Sequence, residues 1–189
     1  MATSPKHDAK TINQAVDRVA SAIAAHHADT DRLLLLGIAN GGIVFTRRLA
    51  ERLKKAGLKP GTGTIDTSFH RDDIDANPIP KEHSPTLIPH DVNGATVILV
   101  DDVLHSGRTV KAALDELFDH GRPAAVELAV LVDRGGRLLP FAATYTGIKL
   151  VAYDDEKVKV RLDAADPAKD TLITESAPGP RRPPAIVKS

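Results

Sequence analysis

Two adjacent aspartates, Asp101 and Asp102, follow four apolar residues in the stretch VILVDDVLHSGRTV at residues 97–110. Because like charges repel, two carboxylates side by side at the end of a buried strand indicate a ligand that needs both of them. Carboxylate oxygens suit the hydroxyls of a ribose, and they suit Mg²⁺, which prefers oxygen ligands. An isolated Asp-Asp pair more often caps an element or faces solvent. Here the apolar run before the pair and the small-residue turn after it favour the functional interpretation.

The residues after the two acids, HSGRT at 105–109, have the composition of an anion-binding loop. Successive backbone N–H groups can wrap a phosphate, and the helix that begins here adds a favourable dipole. Ser106 and Thr109 supply hydroxyl donors, and Gly107 permits a positive φ or a close approach. No Gly-Lys-Ser/Thr occurs in the chain, which excludes a Walker loop, and GTG at 61–63 lacks the third glycine of a dinucleotide fingerprint.

The elements that must position these residues alternate between strand and helix. Apolar residues recur at helical spacing from Thr11 to about Ala28, and LLLLGI at 33–38 is a short apolar run typical of a central strand. A second helix follows the turn NGG and stops before Gly57. The other predicted elements are strands at 63–69, 97–101 and 125–133, a helix at about 108–120, and weaker strands at 143–147 and 157–162. This alternation predicts an α/β fold with a twisted, mostly parallel sheet and helices on both faces.

The ends of the chain and one internal segment depart from this alternation. Residues 1–10 and 166–189 are predicted to be largely disordered tails, which leaves one domain at 11–165. Residues 70–94 contain four prolines and exceed the usual length of a connection. Loops this long are usually functional lids or disordered, so we interpret the segment as a lid.

Composition excludes several classes of protein. The formal net charge is zero, so no global field favours nucleic acid or an anionic membrane. The absence of cysteine excludes disulfides, zinc–thiolate sites and a cysteine nucleophile, and it fits a reducing cytosol. No apolar run approaches the roughly 18 residues of a spanning helix, and the first residues lack the apolar region of a signal peptide. We therefore expect a cytoplasmic protein with no membrane partner.

Three stretches of the sequence resemble a known family. VILVDDVLHSGRT at 97–109 resembles the phosphoribosyl-pyrophosphate (PRPP) motif of type I phosphoribosyltransferases. GTIDTSFHRDD at 63–73 and ELFDHGRPAAVELAVLVDRGGRLLP at 116–140 resemble PyrR, a family of pyrimidine-operon regulators and uracil phosphoribosyltransferases. The resemblance runs from about residue 11 to 162. It implies the type I fold with a mobile lid and a small hood, transfer of the phosphoribosyl group of PRPP to uracil to give UMP and pyrophosphate, Mg²⁺ as cofactor, and a homodimer or higher homo-oligomer.

The same resemblance implies roles for the residues of the PRPP motif. Asp101 and Asp102 are expected to be catalytic, holding the ribose 2′- and 3′-hydroxyls directly or through Mg²⁺. The residues expected to cradle the 5′-phosphate are His105, Ser106, Gly107, Arg108 and Thr109.

It also implies where the pyrophosphate would bind. The backbone N–H groups of the turn after the first buried strand would take it, and this turn is formed by Ala39, Asn40, Gly41 and Gly42. The sequence departs here from better-known members of the family, which carry Thr-Arg-Gly. Asn40 does not supply the charge of an arginine.

The lid and the base are the remaining assignments. Arg71, Asp72 and Asp73 match the root of the family's mobile loop, which agrees with the interpretation of 70–94 as a lid, and Arg71 is expected to be catalytic. The segment expected to receive the base, largely through backbone groups, comprises Val132, Asp133 and Arg134.

Two alternative functions remain open at this stage. One is a nucleotide-sensing, RNA-binding regulator with weak or no catalysis, for which Lys59 and the cationic face of the helix at 47–55 are candidate contacts. That face carries no interleaved aromatic residues, so we prefer to interpret it as a solvated helix face. The other alternative is a transferase for a purine base, because base choice depends on a few buried hydrogen bonds that the sequence does not show.

Overall fold

The structure, a computed structural model, describes residues 3–68, 85–153 and 155–176. Its elements alternate along the chain much as the apolar periodicity predicts. In order they are β1 (Thr3–His7), α1 (Ala9–His26), β2 (Leu33–Ile38), α2 (Gly41–Lys55), β3 (Gly61–Ile65), β4 (Thr96–Leu104), α3 (Arg108–Asp119), β5 (Ala125–Asp133), β6 (Tyr145–Lys149), β7 (Glu156–Arg161), a 3₁₀ turn (Pro167–Lys169) and β8 (Thr171–Ser176).

The central sheet has five parallel strands in the order β3-β2-β4-β5-β6. After β2 the chain crosses to β3 on one side, whereas after β4 it crosses to β5 and then β6 on the other side. The direction of winding therefore reverses between β2 and β4. In open α/β sheets ligands bind in the crevice at such a switch point, outside the carboxyl ends of the strands.

Apolar side chains cover both faces of this sheet. All six residues of β2 are buried, which explains the continuous apolar run in the sequence. Successive residues of a strand point to opposite faces. Ile98 and Val100 accordingly pack with α1 and α2 on one face, and Val97 and Leu99 pack with α3 on the other. In the described ranges no helix combines the length and the apolar character needed to cross a membrane.

A second, antiparallel sheet in the order β1-β8-β7 forms the hood. The expectation of a disordered tail from residue 166 is therefore wrong for 166–176, which form the 3₁₀ turn and β8, and residues 3–7 form β1 rather than a frayed end. These strands pair residues from opposite ends of the chain, such as Thr3 and Glu175. Local sequence pattern does not show such pairing, because a short strand is stabilised mainly by its neighbours.

A buried ion pair attaches the hood to α2. Arg48, which the sequence analysis places on a solvated cationic face, is 6% exposed, and its guanidinium binds both carboxylate oxygens of Asp170. Nη2 of Arg48 also donates to the carbonyl of Asp163 at 2.6 Å, and the Asp163 N–H donates to Asp170 Oδ1 at 2.9 Å. The helix that starts at the switch point is thus joined directly to the segment that follows β7.

Candidate active site

The residues predicted to do chemistry gather at the carboxyl ends of adjacent strands. The turn Ala39–Gly42 follows β2, Asp101 and Asp102 lie near the carboxyl end of β4, and the loop 105–109 follows β4. Residues 132–134 end the next strand, β5, whose Val132 is paired with Val103. These segments line one edge of the sheet, on both sides of the switch point.

The two aspartates point to opposite faces of β4 and so have different surroundings. Asp102 lies on the side of α2: a Cβ built on Gly41 would stand 2.4 Å from the Asp102 Cγ. Asp101 is 6% exposed, and its Oδ1 accepts a hydrogen bond from the Asp102 N–H at 2.9 Å. Alternation along the strand therefore separates two like charges that are neighbours in sequence.

Burial raises the pKa of both carboxyl groups above their ordinary range. For Asp101 the pKa is raised well above it, first by burial and then by the neighbouring charge of Asp102. In the described ranges neither acid forms an ion pair, whereas Asp170 binds Arg48. The site therefore holds carboxylates that a cation or a set of hydroxyl donors would stabilise.

The turn after β2 packs against these acids through its glycines. A Cβ on Gly42 would stand 2.0 Å from the carbonyl oxygen of Val100, so neither Gly41 nor Gly42 has room for a side chain. Asn40 is the N-cap of α2 without a side-chain cap bond, and the Ala39-Asn40 peptide is cis. The first N–H groups of a helix have no partner within the helix, so this turn presents donors and a positive dipole end to the crevice.

The loop 105–109 turns into α3 through a glycine with a left-handed backbone conformation. Gly107 is the N-cap of α3 with φ of +92°, and a Cβ there would stand 2.9 Å from Cδ2 of Phe141. Both the backbone conformation and the space therefore require glycine. The Arg108 N–H donates to Ser106 Oγ at 3.3 Å. The sequence interpretation of Gly107 thus agrees with the local geometry.

Arg137 supports this loop and was missed in the sequence analysis. Its guanidinium donates to the His105 carbonyl at 2.8 Å and pairs with Asp133 Oδ1 at 2.7 Å. The N–H groups of Leu138 and Leu139 donate to the Ser106 carbonyl. The segment after β5 therefore fixes the loop after β4. The only signal in the sequence was the arginine within DRGGR, which gives no hint of a partner 32 residues away.

The three residues expected to receive the base lie at the end of β5, but their groups are not equally available. Val132 is buried in the core. The Asp133 carbonyl accepts from the Leu150 N–H, and the Arg134 N–H donates to the Leu104 carbonyl. Arg134 is 6% exposed, and its Nη2 donates to the Tyr153 carbonyl at 2.9 Å. Arg134 thus connects β5 to the segment before β7.

A cavity of about 470 Å³ opens between the central sheet and the hood. One wall is formed by Asn40, Gly41 and Asp102, and the other comes from residues 160–163 and Lys169. Its size falls within the range of small-molecule sites. The lid residues Arg71, Asp72 and Asp73 lie outside the described residues.

The donor set fits a magnesium ion that is shared with a substrate. Within the described ranges, no group of three or more His, Cys, Asp or Glu side chains could hold a metal ion. Mg²⁺ is usually bound by one or two carboxylates together with waters and substrate phosphates, rather than by an all-protein cage. Asp101 and Asp102 provide such a partial set at the crevice.

Comparison with known proteins agrees with this geometry. A model of the phosphoribosyl transferase domain matches residues 7–164. The hypoxanthine phosphoribosyltransferase of Trypanosoma cruzi superposes with a TM-score of 0.67 at 20% identity, covering 92% of this chain and 97% of that one. A hypoxanthine-guanine phosphoribosyltransferase from Bacillus anthracis gives a TM-score of 0.63 at 21% identity, covering 78% and 83%. Fold and crevice define a phosphoribosyltransferase.

Sequence relatives narrow the class. The bifunctional protein PyrR of Listeria monocytogenes is 44% identical over 171 residues, covering 88% of this chain and 93% of that protein. Those of Corynebacterium glutamicum and Streptomyces coelicolor are 44% and 43% identical, each with about 90% coverage of both chains. The chain belongs to the PyrR family of phosphoribosyltransferases.

Proposed function

We propose that this protein transfers the phosphoribosyl group of PRPP to uracil, giving UMP and pyrophosphate. The observation that carries the proposal is the convergence of three segments on the β2–β4 switch point: the acidic pair, the anion-binding loop and the glycine turn. The 44% identity to a bifunctional PyrR supports the same assignment.

Asp101 and Asp102 orient the ribose in this proposal. Their oxygens accept from the 2′- and 3′-hydroxyls, and the loop from His105 to Thr109 binds the 5′-phosphate through N–H groups and hydroxyls. Because the sugar is held at both ends, its C1 faces the cavity in one orientation. Transfer then depends on positioning more than on proton transfer, and we assign no general base.

The chemical step is attack of uracil N1 on C1 of PRPP as the C1–O bond to pyrophosphate breaks; the N1–H bond also breaks, and its proton passes to the departing pyrophosphate or to water. Positive charge develops on the sugar and negative charge on the leaving group. The N–H groups of 40–42 are preorganised donors for the leaving oxygens, whereas the Ala39 N–H already donates to the Ile65 carbonyl at 2.9 Å. Mg²⁺, when held by Asp101, Asp102 and substrate oxygens, supplies further charge neutralisation. Exclusion of water from the sugar cation is assigned to the lid, with Arg71 acting from it beside Asp72 and Asp73.

Uracil is proposed to lie against residues 132–134, at the end of the strand next to β4. The fold already uses the Asp133 carbonyl and the Arg134 N–H. The base must therefore be read by the remaining backbone groups of this segment and by the hood.

A second function, regulation through RNA, is favoured by the name that the relatives carry, bifunctional PyrR. The ligand would be the leader RNA of a pyrimidine operon, and the protein would act as a homodimer or higher homo-oligomer. The cationic face of α2 is smaller than its sequence indicates, because Arg48 is buried and Arg52 binds Asp17 at 2.5 Å. A gel-shift titration with leader RNA over a range of salt concentrations tests this function.

The decisive experiment for the enzyme assays uracil, hypoxanthine, guanine and orotate side by side with PRPP and Mg²⁺. We expect pyrophosphate release and nucleotide formation with uracil alone. Equal or better turnover with hypoxanthine or guanine would replace the proposal with a purine transferase. Leader-RNA binding without turnover on any base would leave the regulatory function alone.

A further inference from the structure

The crevice poses a charge problem for the leaving group. Pyrophosphate carries several negative charges, yet the turn 39–42 contains no cationic side chain. The same cavity is lined by two acidic residues, Asp102 and Asp163. Backbone dipoles on one side must therefore act against two acids unless a cation is supplied from elsewhere.

The opposite wall of the cavity contains a cationic side chain, which comes from β7. Lys157, Lys159 and Arg161 alternate along this strand on its exposed face, while Val158 and Val160 pack against the core. Of the three cations, Arg161 alone lines the cavity that contains Asn40, Gly41 and Asp102. Lys159 is turned to β8, where its Nζ lies 2.6 Å from Glu175 Oε2.

The wall that carries Arg161 is held in a fixed position. Asp163, two residues further on, receives a hydrogen bond on its carbonyl from Arg48 and gives one from its N–H to Asp170. The Asp163 carboxylate in turn accepts from the N–H groups of Ala165 and Asp166. The end of β7 is thus joined to α2, whose N-terminus forms the other wall.

We propose that Arg161 is a pyrophosphate-binding residue of this enzyme. Its guanidinium provides a planar fork for two phosphate oxygens, opposite the N–H groups of Asn40 and Gly41. The identification of the anion as pyrophosphate rests on the proposed function. Lys169 lines the same cavity, but its Nζ lies 3.6 Å from Asp166 Oδ2, so we assign the main contribution to Arg161.

The test compares ligands that contain the pyrophosphate group with one that lacks it. Isothermal titration of the full chain, in buffer with Mg²⁺, uses pyrophosphate, PRPP and UMP in turn. For Arg161→Ala we expect affinity for pyrophosphate and PRPP to fall by about 10- to 100-fold, as for loss of a charged hydrogen bond, and affinity for UMP to stay within about twofold. Arg161→Lys should recover part of the loss. Lys157→Ala, which removes a cation from the same strand face outside the cavity, is the matched control.

Two results would overturn the proposal. Unchanged pyrophosphate affinity in Arg161→Ala would remove the residue from the site. An equal loss for pyrophosphate, PRPP and UMP, together with a lower melting temperature, would make Arg161 a structural residue. The assignment of uracil can fail separately. If the wild-type protein transfers the phosphoribosyl group to another base, and Arg161→Ala selectively loses affinity for pyrophosphate and PRPP, only the choice of base is overturned.

Discussion

In the central sheet, the ionisable groups at the amino ends of the strands and those at the carboxyl ends have opposite surroundings. At the amino ends of the strands, Glu127 Oε2 lies 2.9 Å from Nε2 of His27 and accepts from the Tyr145 hydroxyl at 2.7 Å. At the carboxyl ends, Asp101 and Asp102 have raised pKa values and, in the ranges that the structure describes, no cationic partner. At the amino ends, which we call the completed edge, the protein itself supplies the partners of the ionisable groups. At the carboxyl ends, which we call the open edge, the partners are left to a ligand.

The completed edge shows what a buried polar cluster needs. His27 is 4% exposed, and its Nδ1 lies 3.1 Å from Thr30 Oγ1. Burial and the adjacent Glu127 raise the pKa of Tyr145, which keeps its hydroxyl protonated as a donor. Because each group has a partner, the cluster stabilises the fold. At the open edge, the carboxylates of Asp101 and Asp102 lower the stability of the free protein, and they are retained because they bind the ligand.

Removal of Asp102 is the largest change that this comparison predicts. In Asp102→Ala, we expect uracil-dependent release of pyrophosphate from PRPP to fall by at least about 100-fold, because the ribose loses its orienting carboxylate. The free energy of unfolding should not fall, since a half-buried carboxylate without a cation is removed. Asp115→Ala, at a half-buried acid on α3 that pairs with Lys111, is the control for both measurements. Near-normal turnover in Asp102→Ala would contradict the assignment of the site.

Glu127→Ala is expected to show the opposite pattern at the other edge. It removes the acceptor that the His27 ring and the Tyr145 hydroxyl share and leaves them only their 3.0 Å contact with each other, so the free energy of unfolding should fall by about 1–3 kcal/mol. Turnover at saturating substrate should remain unchanged, because the cluster lies at the far ends of the strands. Denaturant unfolding and the same transferase assay measure the two quantities. A loss of turnover without a loss of stability would mean that the two edges are coupled.

Asp101→Asn should stabilise the free protein in a way that depends on pH. The folded pKa of Asp101 lies above its unfolded value, so the stability that its neutral form contributes is present below about pH 4 and is lost as the pH rises through the folded pKa. Asparagine keeps the acceptor for the Asp102 N–H without the charge. We expect a gain of about 0.5–2 kcal/mol in the free energy of unfolding at pH 8, shrinking towards zero at pH 4.

Denaturation of metal-free protein at several pH values measures this gain. Asp166→Asn, at an acid outside the pair, is the control variant for this measurement. A gain that is equal at pH 4 and pH 8 would show that packing, rather than charge, is responsible.

The open edge could be predicted from the sequence far better than the completed one. Asp101, Asp102 and the loop 105–109 stand together in one stretch, between a buried strand and a helix, so local pattern identifies both the chemistry and the elements. The prediction of a mostly parallel sheet flanked by helices is confirmed for the same reason, since each strand–helix unit carries its own periodicity.

Partners far apart in the chain could not be predicted in this way. His27 and Glu127 are 100 residues apart, and Arg48 and Asp170 are 122 residues apart. Each residue alone has the appearance of an ordinary surface charge. Strands β1 and β8 of the hood were missed for the same reason, because β8 depends on β1 and β7 for its hydrogen bonds. Tertiary pairing, rather than local propensity, decides these features.

Tyr145→Phe gives the smallest expected effect and sharpens the description of the completed edge. The substitution removes only the hydroxyl, so the carboxylate loses one donor and His27 Nε2 loses its 3.0 Å contact with that hydroxyl, while His27 Nε2 keeps its contact with Glu127. We expect the free energy of unfolding to fall by about 0.5–1.5 kcal/mol, less than for Glu127→Ala. In a double-mutant cycle with Glu127→Gln the two effects should not add, because the groups share one hydrogen-bond network. Additive effects would mean that the hydroxyl and the carboxylate contribute independently.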